Sequence, residues 1–336
     1  MAGCSAAGTD TTSTLAPPST AVSTTTTTIP ELSPDVLDIQ GHRGARGLQP
    51  ENTLPAFETA LDIGVTTLEF DLHFTADDDV VVWHDATIDP AKCGLSASAP
   101  DGVPDPDDAT TADEDLMIRS LTTAQLAHYR CDRNPNPARF PDQTTDTTAL
   151  AGDDYSIVTL EKLLDFVATY ADSNAKTDEQ RTSASVVFLN METKRKPKTP
   201  ETIDDGFDGV NAGPFELAIL EIIAERGLEE RVILQSFDHR SLWSVHQQNP
   251  TLRLAALSKG VSVDFEDIAV RGASIWSSDY NDVNEGTLDA AHRAGLEVIP
   301  WTVNDPDLMD RLVELGVDGL ITDRPDVAPS NAESDG

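Results

Sequence analysis

The sequence predicts a (β/α)8 TIM barrel, an α/β fold, with an irregular insertion after the second barrel strand. Short apolar runs alternate with helical patterns over residues 37–322, and such alternation favours a parallel sheet. Eight runs are present, which is the strand number of this barrel. A doubly wound sheet is the alternative, but no Gly-x-Gly-x-x-Gly turn supports a dinucleotide site. The runs end near residues 41, 72, 192, 236, 258, 277, 302 and 322.

The first unit of the predicted barrel carries polar residues directly after its strand. Residues 37–40 are β-like, and a glycine-rich loop with a His and an Arg begins where they end. Residues 50–64 then predict a helix because apolar side chains recur on one face, and either Asn52 or Thr53 is expected to cap it. Charged residues on such a loop indicate function rather than packing.

The second predicted strand, residues 66–74, places two carboxylates on one face. Because successive strand side chains alternate, Glu69 and Asp71 project together. The polar turn that follows is too short for a parallel crossover, so residues 80–83 should return as an antiparallel hairpin strand. This strand ends at His84 and brings it towards the carboxylates.

An irregular insertion, at about residues 86–158, separates this hairpin from the next barrel unit. One short helix is predicted in it, over residues 121–129. Cys93 and Cys131 both lie in the insertion and would form a disulfide in an exported protein, whereas two reduced, unrelated thiols are the alternative. Neither has a Cys-x-x-Cys partner, which argues against zinc.

The rest of the chain alternates between helical and strand patterns, as a barrel requires. The barrel domain is therefore expected to span residues 37–328. The predicted helices are 160–170, 215–226, 241–248, 285–294 and 306–315, and the predicted strands are 185–191, 231–237, 252–258, 273–278, 297–303 and 319–322.

Polar side chains recur at or just past the C-terminal ends of the predicted strands, where barrels of this type build their active sites. Glu192 and Lys194 are two residues apart, so they also share one face of a strand. Each polar residue alone has a structural explanation, such as an ion pair at the barrel mouth. Because they converge on one edge, we interpret them together as a site. The set is His42, Arg43, Glu69, Asp71, Glu192, Lys194, Gln235 and Trp301.

Several separated segments resemble the signature of the glycerophosphodiester phosphodiesterase family, in the same order and at matching intervals. The resemblance implies a TIM barrel that hydrolyses glycerophosphodiesters to sn-glycerol 3-phosphate and an alcohol. It also implies that His42 and His84 act as acid and base, with a glycerol hydroxyl or a water as nucleophile. The segments are His42-Arg43-Gly44, Pro50-Glu51-Asn52-Thr53, Glu69-Phe70-Asp71 and His84-Asp85.

Glu69, Asp71 and Glu192 predict a metal site. Three carboxylates without clustered Cys or His ligands suit one hard divalent cation, with Ca²⁺ as the first expectation and Mg²⁺ as the second. With Arg43 and Lys194, this ion would neutralise a phosphodiester and stabilise the charge that builds on its oxygens in the transition state.

The two imidazoles and one aromatic residue complete the predicted site. Hydrolysis must deprotonate a nucleophile and protonate a leaving alkoxide, so one His should act as base and the other as acid. We assign His42 as base and His84 as acid, and the reverse assignment stays open because sequence does not reveal protonation. Trp301 is assigned to substrate binding because it lies at the end of a predicted strand.

The net charge of −36 restricts the classes of partner. It argues against nucleic acid, whose phosphates would be repelled, and it favours divalent cations. A related phospholipase acting on intact lipid is one alternative, but the sequence lacks a basic or aromatic-rich membrane face and any apolar run near ~18 residues. A non-catalytic envelope binding protein is another. It would have lost a His or a carboxylate, and none of the expected positions is lost.

The two ends of the chain differ from the barrel in composition. Residues 1–36 are rich in Thr, Ser and Pro and predict a disordered tether, and residues 329–336 predict a flexible tail. Ala2-Gly3-Cys4 resembles the end of a bacterial lipoprotein signal, whose apolar segment would precede it. We therefore expect an extracellular or cell-envelope protein anchored through a lipid on Cys4. An incidental Cys4 is the alternative.

Overall fold

The computed structural model describes residues 1–3 and 36–329, and nearly all of the predicted tether and tail, including Cys4, lies outside these residues. The described chain forms an α/β domain. Its strands are β1 (Asp38–His42), β2 (Thr67–Phe74), β3 (Val80–Val82), β4 (Gly94–Leu95), β5 (Tyr129–Arg130), β6 (Phe188–Thr193), β7 (Val232–Ser236), β8 (Arg253–Ser258), β9 (Ile275–Ser278), β10 (Glu297–Val298) and β11 (Gly319–Thr322). Its helices are α1 (Leu54–Ile63), α2 (Thr123–Leu126), α3 (Leu160–Asp172), α4 (Asp178–Val186), α5 (Pro214–Arg226), α6 (His239–Gln248), α7 (Phe265–Val270), α8 (Glu285–Arg293) and α9 (Pro306–Leu315).

Eight parallel strands form a nearly closed barrel in the order β10-β9-β8-β7-β6-β2-β1-β11. Backbone hydrogen bonds outside the regular strand pairing join the segment of β10 to the segment of β11. We call this line of bonds the seam. The Asp318 amide donates to Val298 O (3.0 Å), the Ile321 amide to Pro300 O (2.9 Å) and the Val303 amide to Ile321 O (3.0 Å). The (β/α)8 prediction is confirmed, and the doubly wound alternative is wrong because that sheet would leave two open edges.

The predicted hairpin and insertion are both present. Strand β3 runs antiparallel to β2, with Leu72 opposite Val82. Between β3 and α3 the chain makes the small β4–β5 hairpin, short 3₁₀ turns and a separate apolar cluster that includes Trp83 and Tyr129. The predicted helix 121–129 is shorter in the structure, since Tyr129 pairs in β5 instead of continuing α2.

The largest differences from the predicted elements concern α4, β6, α7 and β10. Ser185 belongs to α4, which the sequence analysis missed, so strand β6 begins three residues later than expected and extends to Thr193. Helix α4 buries only Ala184, and so it shows little of the apolar periodicity that reveals a helix. Helix α7, capped by Asp264, was also missed. The strand predicted over 297–303 pairs regularly with β9 only at Glu297 and Val298 and continues as the seam.

An apolar layer inside the barrel lies below the polar mouth. Ile233, Ala255, Ile275, Ile299 and Ile321 fill this layer and are all buried. A larger apolar core packs the outer face of the sheet against the helices. The polar residues that follow along each strand are therefore held on a packed base at the C-terminal end of the barrel. No helix within residues 36–329 is long and apolar enough to cross a membrane.

Cys93 and Cys131 form the predicted disulfide within the insertion. On loop-closure entropy alone, a crosslink over this 38-residue separation stabilises the fold by about 4 kcal/mol. We expect the native protein to take up a thiol-alkylating reagent at no more than one site, Cys4, before reduction and at two more sites afterwards. Intact-mass measurement tests this. Alkylation of Cys93 and Cys131 in unreduced, natively folded protein would contradict it.

Candidate active site

Three buried carboxylates meet where β2 and β6 run side by side. Asp71 lies opposite Glu192 in the parallel register, and Glu69 shares the face of Asp71 because the two are separated by one residue. One oxygen of each carboxylate lies within 4.8 Å of the others. The sequence prediction that these three residues converge is confirmed.

Two cations lie against these carboxylates. Lys194 Nζ is 2.8 Å from Glu192 Oε1 and 3.2 Å from Asp71 Oδ1. Arg43 Nε is 3.2 Å from Asp71 Oδ2, and the Arg43 backbone amide donates to Glu69 Oε2 at 3.0 Å. Both predicted phosphate-binding residues are thus beside the predicted metal ligands.

Burial and the neighbouring charges shift the pKa values of the three carboxylates in different directions. Burial and the neighbouring charge of Asp71 raise the pKa of Glu69 well above its usual range. Burial also raises the pKa of Glu192, although Lys194 opposes the shift. For Asp71 burial acts in the same direction, but Lys194 and Arg43 outweigh it and hold the pKa well below its usual range.

The donor set fits one hard divalent cation. All three side chains offer carboxylate oxygens, the ligands that Ca²⁺ and Mg²⁺ prefer. Asp71 Oδ1 is buried and accepts no well-formed hydrogen bond, although Lys194 Nζ lies 3.2 Å from it. Burial first, and then the charge of Asp71, raise the pKa values of Glu69 and Glu192, and a bound divalent ion would favour the charged form of both groups.

His42 is oriented by a carboxylate at the far end of the chain. Its Nδ1 lies 2.6 Å from Asp323 Oδ1, and its Nε2 lies 3.9 Å from Glu69 Oε2. A carboxylate beside Nδ1 keeps the proton there, so Nε2 carries the free lone pair. Burial, and then the charge of Arg46, lower the pKa of His42 to about 3. The imidazole is therefore neutral near pH 7 and can accept a proton.

His84 has a similar arrangement on the other side of the site. Its Nδ1 lies 2.6 Å from Asp85 Oδ1. Burial, and then the charge of Arg43, lower the pKa of His84 to about 4, while Asp71 and Asp85 act against this shift. The side chain is 25% exposed, compared with 11% for His42. His84 is thus the more accessible of the two imidazoles.

The loop after β1 has a backbone that few residue types adopt. Gly44 has a φ of 82°, and a Cβ there would lie 2.6 Å from Ala56 C, so the loop approaches α1 too closely for a side chain. Arg43 also has a positive φ, 54°. This conformation directs the Arg43 amide to Glu69 while its guanidinium reaches Asp71.

Asn52 and Thr53, the two residues predicted as possible caps of α1, have different roles in the structure. Thr53 is the N-cap, and its side chain accepts from the Ala56 amide. Asn52 instead donates from Nδ2 to Asp71 Oδ2 at 2.9 Å. Asn52 therefore orients a predicted metal ligand, a role that the sequence analysis missed.

The sequence analysis also missed a buried ion network behind His42. Arg46 donates from Nε and Nη2 to the two oxygens of Asp323, at 2.9 and 3.0 Å. Glu51 accepts from Arg43 Nη1 at 2.9 Å and from Arg46 Nη1 at 3.2 Å. The sequence analysis includes Glu51 only as part of a motif. Asp323 follows the eighth strand directly, and the rule that polar residues at strand ends form the site would have included it.

All of the predicted residues except Asp71 line one cavity of about 610 Å³ at the barrel mouth, and Asp71 lies beneath it. Gln235 donates from Nε2 to Glu69 Oε1 at 2.8 Å. On the far wall Trp301 stacks edge-on against Phe237, with ring centroids 5.7 Å apart. Other lining residues include Arg46, Arg139, Leu257, Lys259, Asp279, Tyr280, Asn281, Asn304 and Asp305.

Comparison with known proteins gives consistent matches. The model of the glycerophosphoryl diester phosphodiesterase family matches residues 42–327. A glycerophosphodiester phosphodiesterase from Caldanaerobacter subterraneus subsp. tengcongensis is 24% identical over 287 residues, which cover 85% of this chain and 93% of that protein.

Two solved structures share the fold. One, from Silicibacter pomeroyi, is provisionally named a glycerophosphoryl diester phosphodiesterase. It is 28% identical with a TM-score of 0.69, and the match covers 88% of this chain and 92% of that one. The other is a phosphodiesterase from Oleispira antarctica in complex with the product sn-glycerol-3-phosphate. It is 18% identical with a TM-score of 0.63, and the match covers 88% and 97% of the two chains.

Proposed function

This chain belongs to the glycerophosphoryl diester phosphodiesterase family and is an enzyme of that class, and on this premise we propose how its residues hydrolyse a glycerophosphodiester. The products would be sn-glycerol 3-phosphate and an alcohol. The observation that carries the proposal is the arrangement at the barrel mouth. One cavity is surrounded by buried carboxylates, two cations and two imidazoles. Each imidazole is hydrogen-bonded to a carboxylate through Nδ1.

Glu69, Asp71 and Glu192 would hold one divalent cation, with Ca²⁺ as the first expectation and Mg²⁺ as the second. Such an ion withdraws charge from the phosphoryl oxygens. Arg43 and Lys194 lie beside the same carboxylates and would bind phosphate oxygens, so the negative charge of the transition state develops where fixed positive charges are already in place.

His42 would act as the general base and His84 as the general acid. The lone pair on His42 Nε2 accepts the proton of the nucleophile, a glycerol hydroxyl or a water, and Asp323 then stabilises the imidazolium. If the glycerol hydroxyl attacks, the alcohol leaves and a water then opens the resulting cyclic phosphate to sn-glycerol 3-phosphate. A general acid must carry a proton, and His84 is the better suited because its side chain is less buried than that of His42. An anionic substrate in the cavity raises the pKa of His84 and favours that protonated form.

The far wall of the cavity would contact the remainder of the substrate. Trp301 and Phe237 offer aromatic surface there, and polar groups such as Asn281 offer hydrogen bonds. The site therefore suits a small amphipathic molecule in which an apolar carbon skeleton carries hydroxyl groups. The partner is a small diester rather than a nucleic acid.

We also place the protein outside the cytoplasm, in the extracellular space or the cell envelope. The Cys93–Cys131 disulfide supports this location, since such bonds persist in oxidising compartments. A lipid on Cys4 would then serve as the anchor.

Hydrolysis of glycerophosphocholine tests the function. The purified protein should release sn-glycerol 3-phosphate, measured with a coupled glycerol-3-phosphate dehydrogenase assay. A chelator should abolish release, and defined additions of Ca²⁺ or Mg²⁺ should restore it and rank the two ions.

The same assay separates the alternatives. Parallel reactions with lysophosphatidylcholine micelles and phosphatidylcholine vesicles would reveal a phospholipase as choline release from lipid without turnover of glycerophosphocholine. Tight binding of glycerophosphocholine with no turnover under any metal condition would instead indicate a binding protein and overturn the proposal.

A further inference from the structure

A lysine of the insertion reaches the active site. Lys92 Nζ lies 2.8 Å from Glu51 Oε1 and also bonds Asp85 Oδ2. The lysine side chain is 14% exposed, so its ammonium lies largely out of water between two carboxylates. No assigned step of the reaction uses this cation.

Each of the two carboxylates also holds a residue of the proposed machinery. Asp85 binds Lys92 through Oδ2 and His84 Nδ1 through Oδ1. Glu51 binds Lys92 Nζ and Arg43 Nη1 through Oε1. Lys92 therefore links the carboxylate of the proposed general acid to the carboxylate that holds the proposed phosphate-binding arginine.

The backbone around Lys92 is anchored inside the insertion. The amides of Lys92 and Cys93 both donate to Asp89 O at 2.9 Å, and the Arg133 amide donates to Lys92 O at 3.0 Å. Cys93 is crosslinked to Cys131. The lysine thus projects from a short segment that is held by hydrogen bonds and a disulfide within the insertion.

Asp85 depends on this lysine more than Glu51 does. Glu51 also has Arg43 and Arg46 as partners. Among the described residues, the ion partners of Asp85 are His84 and Lys92, so Lys92 is its one permanently charged partner. Removing the ammonium would leave the Asp85 side chain free to rotate, and the His84 ring would lose its fixed orientation.

We propose that Lys92 is a positioning residue that holds Asp85 in place against Glu51 and thereby orients His84. This inference rests on the proposed function for its kinetic consequence, but the orientation itself does not depend on turnover. Partners that orient metal ligands typically contribute about ten- to hundredfold to activity, and we expect an effect of the same size for a partner that orients His84.

The kinetic experiment compares Lys92→Met with a matched control on two substrates. Lys176→Met is the control, because Lys176 is also a buried cation between two carboxylates, Glu58 and Asp62, at 2.6 Å from each. Lys92→Met should lower kcat/KM for glycerophosphocholine about ten- to hundredfold and should change it little for a p-nitrophenyl diester, whose leaving group needs no proton. Lys176→Met should lower Tm and leave both activities unchanged.

A double-mutant cycle identifies the residue through which Lys92 acts. In the His84→Ala background, Lys92→Met should cause little further loss of kcat/KM. An equal loss with and without His84, or a loss shared equally by both substrates, would overturn the proposal. Lys92→Arg keeps the charge and should recover part of the activity.

The final measurement does not need turnover. In ¹⁵N-edited NMR of the imidazoles, the Nδ1 proton of His84 should give a resonance that is absent in His84→Ala and is lost or broadened in Lys92→Met but not in Lys176→Met. If the wild-type protein hydrolysed no glycerophosphodiester while Lys92→Met still lost this resonance, the positioning role would stand and the proposed function would fall. An unchanged resonance in Lys92→Met would refute the positioning role.

Discussion

Replacing His42 by Ala should lower kcat/KM for glycerophosphocholine about a hundredfold to ten-thousandfold, the usual cost of losing a general base or acid. The same loss is expected on a p-nitrophenyl diester, because the nucleophile must still be deprotonated. His84→Ala should be equally damaging on glycerophosphocholine but far less damaging on the nitrophenyl diester, since nitrophenolate departs without a proton. His292→Ala is the control, because His292 is an exposed residue of α8 that pairs with Asp318.

The pattern across the two substrates decides the assignment. Rescue of His42→Ala alone by the nitrophenyl leaving group would reverse the roles of the two imidazoles. An equal loss on both substrates in both variants would mean that neither residue is a simple leaving-group acid. This comparison assigns the roles of His42 and His84 without using the pKa of either imidazole in the free protein.

Glu192→Gln should weaken Ca²⁺ binding and turnover together, because it removes an anionic ligand while it keeps the shape of the side chain. The affinity loss should be at least about tenfold, since changes behind a ligand alone cost about 10- to 100-fold. Titration calorimetry with Ca²⁺ and activity over a Ca²⁺ series supply the two measurements. Glu297→Gln is the matched control, because Glu297 pairs with Arg253 at the opposite end of the barrel.

An unchanged Ca²⁺ affinity in Glu192→Gln would exclude Glu192 as a ligand. A parallel loss in Glu297→Gln would point to general destabilisation instead of a lost ligand. Since Lys194 also bonds Glu192, a measured Tm for each variant is needed to separate the two effects.

The short-range patterns of the sequence predicted most of the site. Glu69 with Asp71, and Glu192 with Lys194, follow from the two-residue period of a strand and from the rule that barrel sites form at C-terminal strand ends. The fold followed from the alternation of strands and helices.

Short-range sequence patterns could not predict contacts between segments that are distant along the chain. His42 and Asp323 are 281 positions apart, and only the closed barrel brings them together. Lys92 lies in an irregular insertion with no period that would indicate where its side chain points. Helix α4 is polar on nearly all sides, so its sequence lacked the signal that the other helices carry.

The seam between β10 and β11 affects the temperature at which the active site loses its geometry. At the barrel mouth it is bridged by side chains, since Asn304 Nδ2 donates to Asp323 Oδ2 at 2.8 Å and the Asp323 amide donates to Asn304 Oδ1 at 2.9 Å. Asp323 also orients His42 through its bond to Nδ1. Local opening requires less free energy than global unfolding where regular pairing is sparse. We therefore expect warming to open this line of bonds and loosen Asp323 before the barrel melts, so that activity is lost at a lower temperature than the fold.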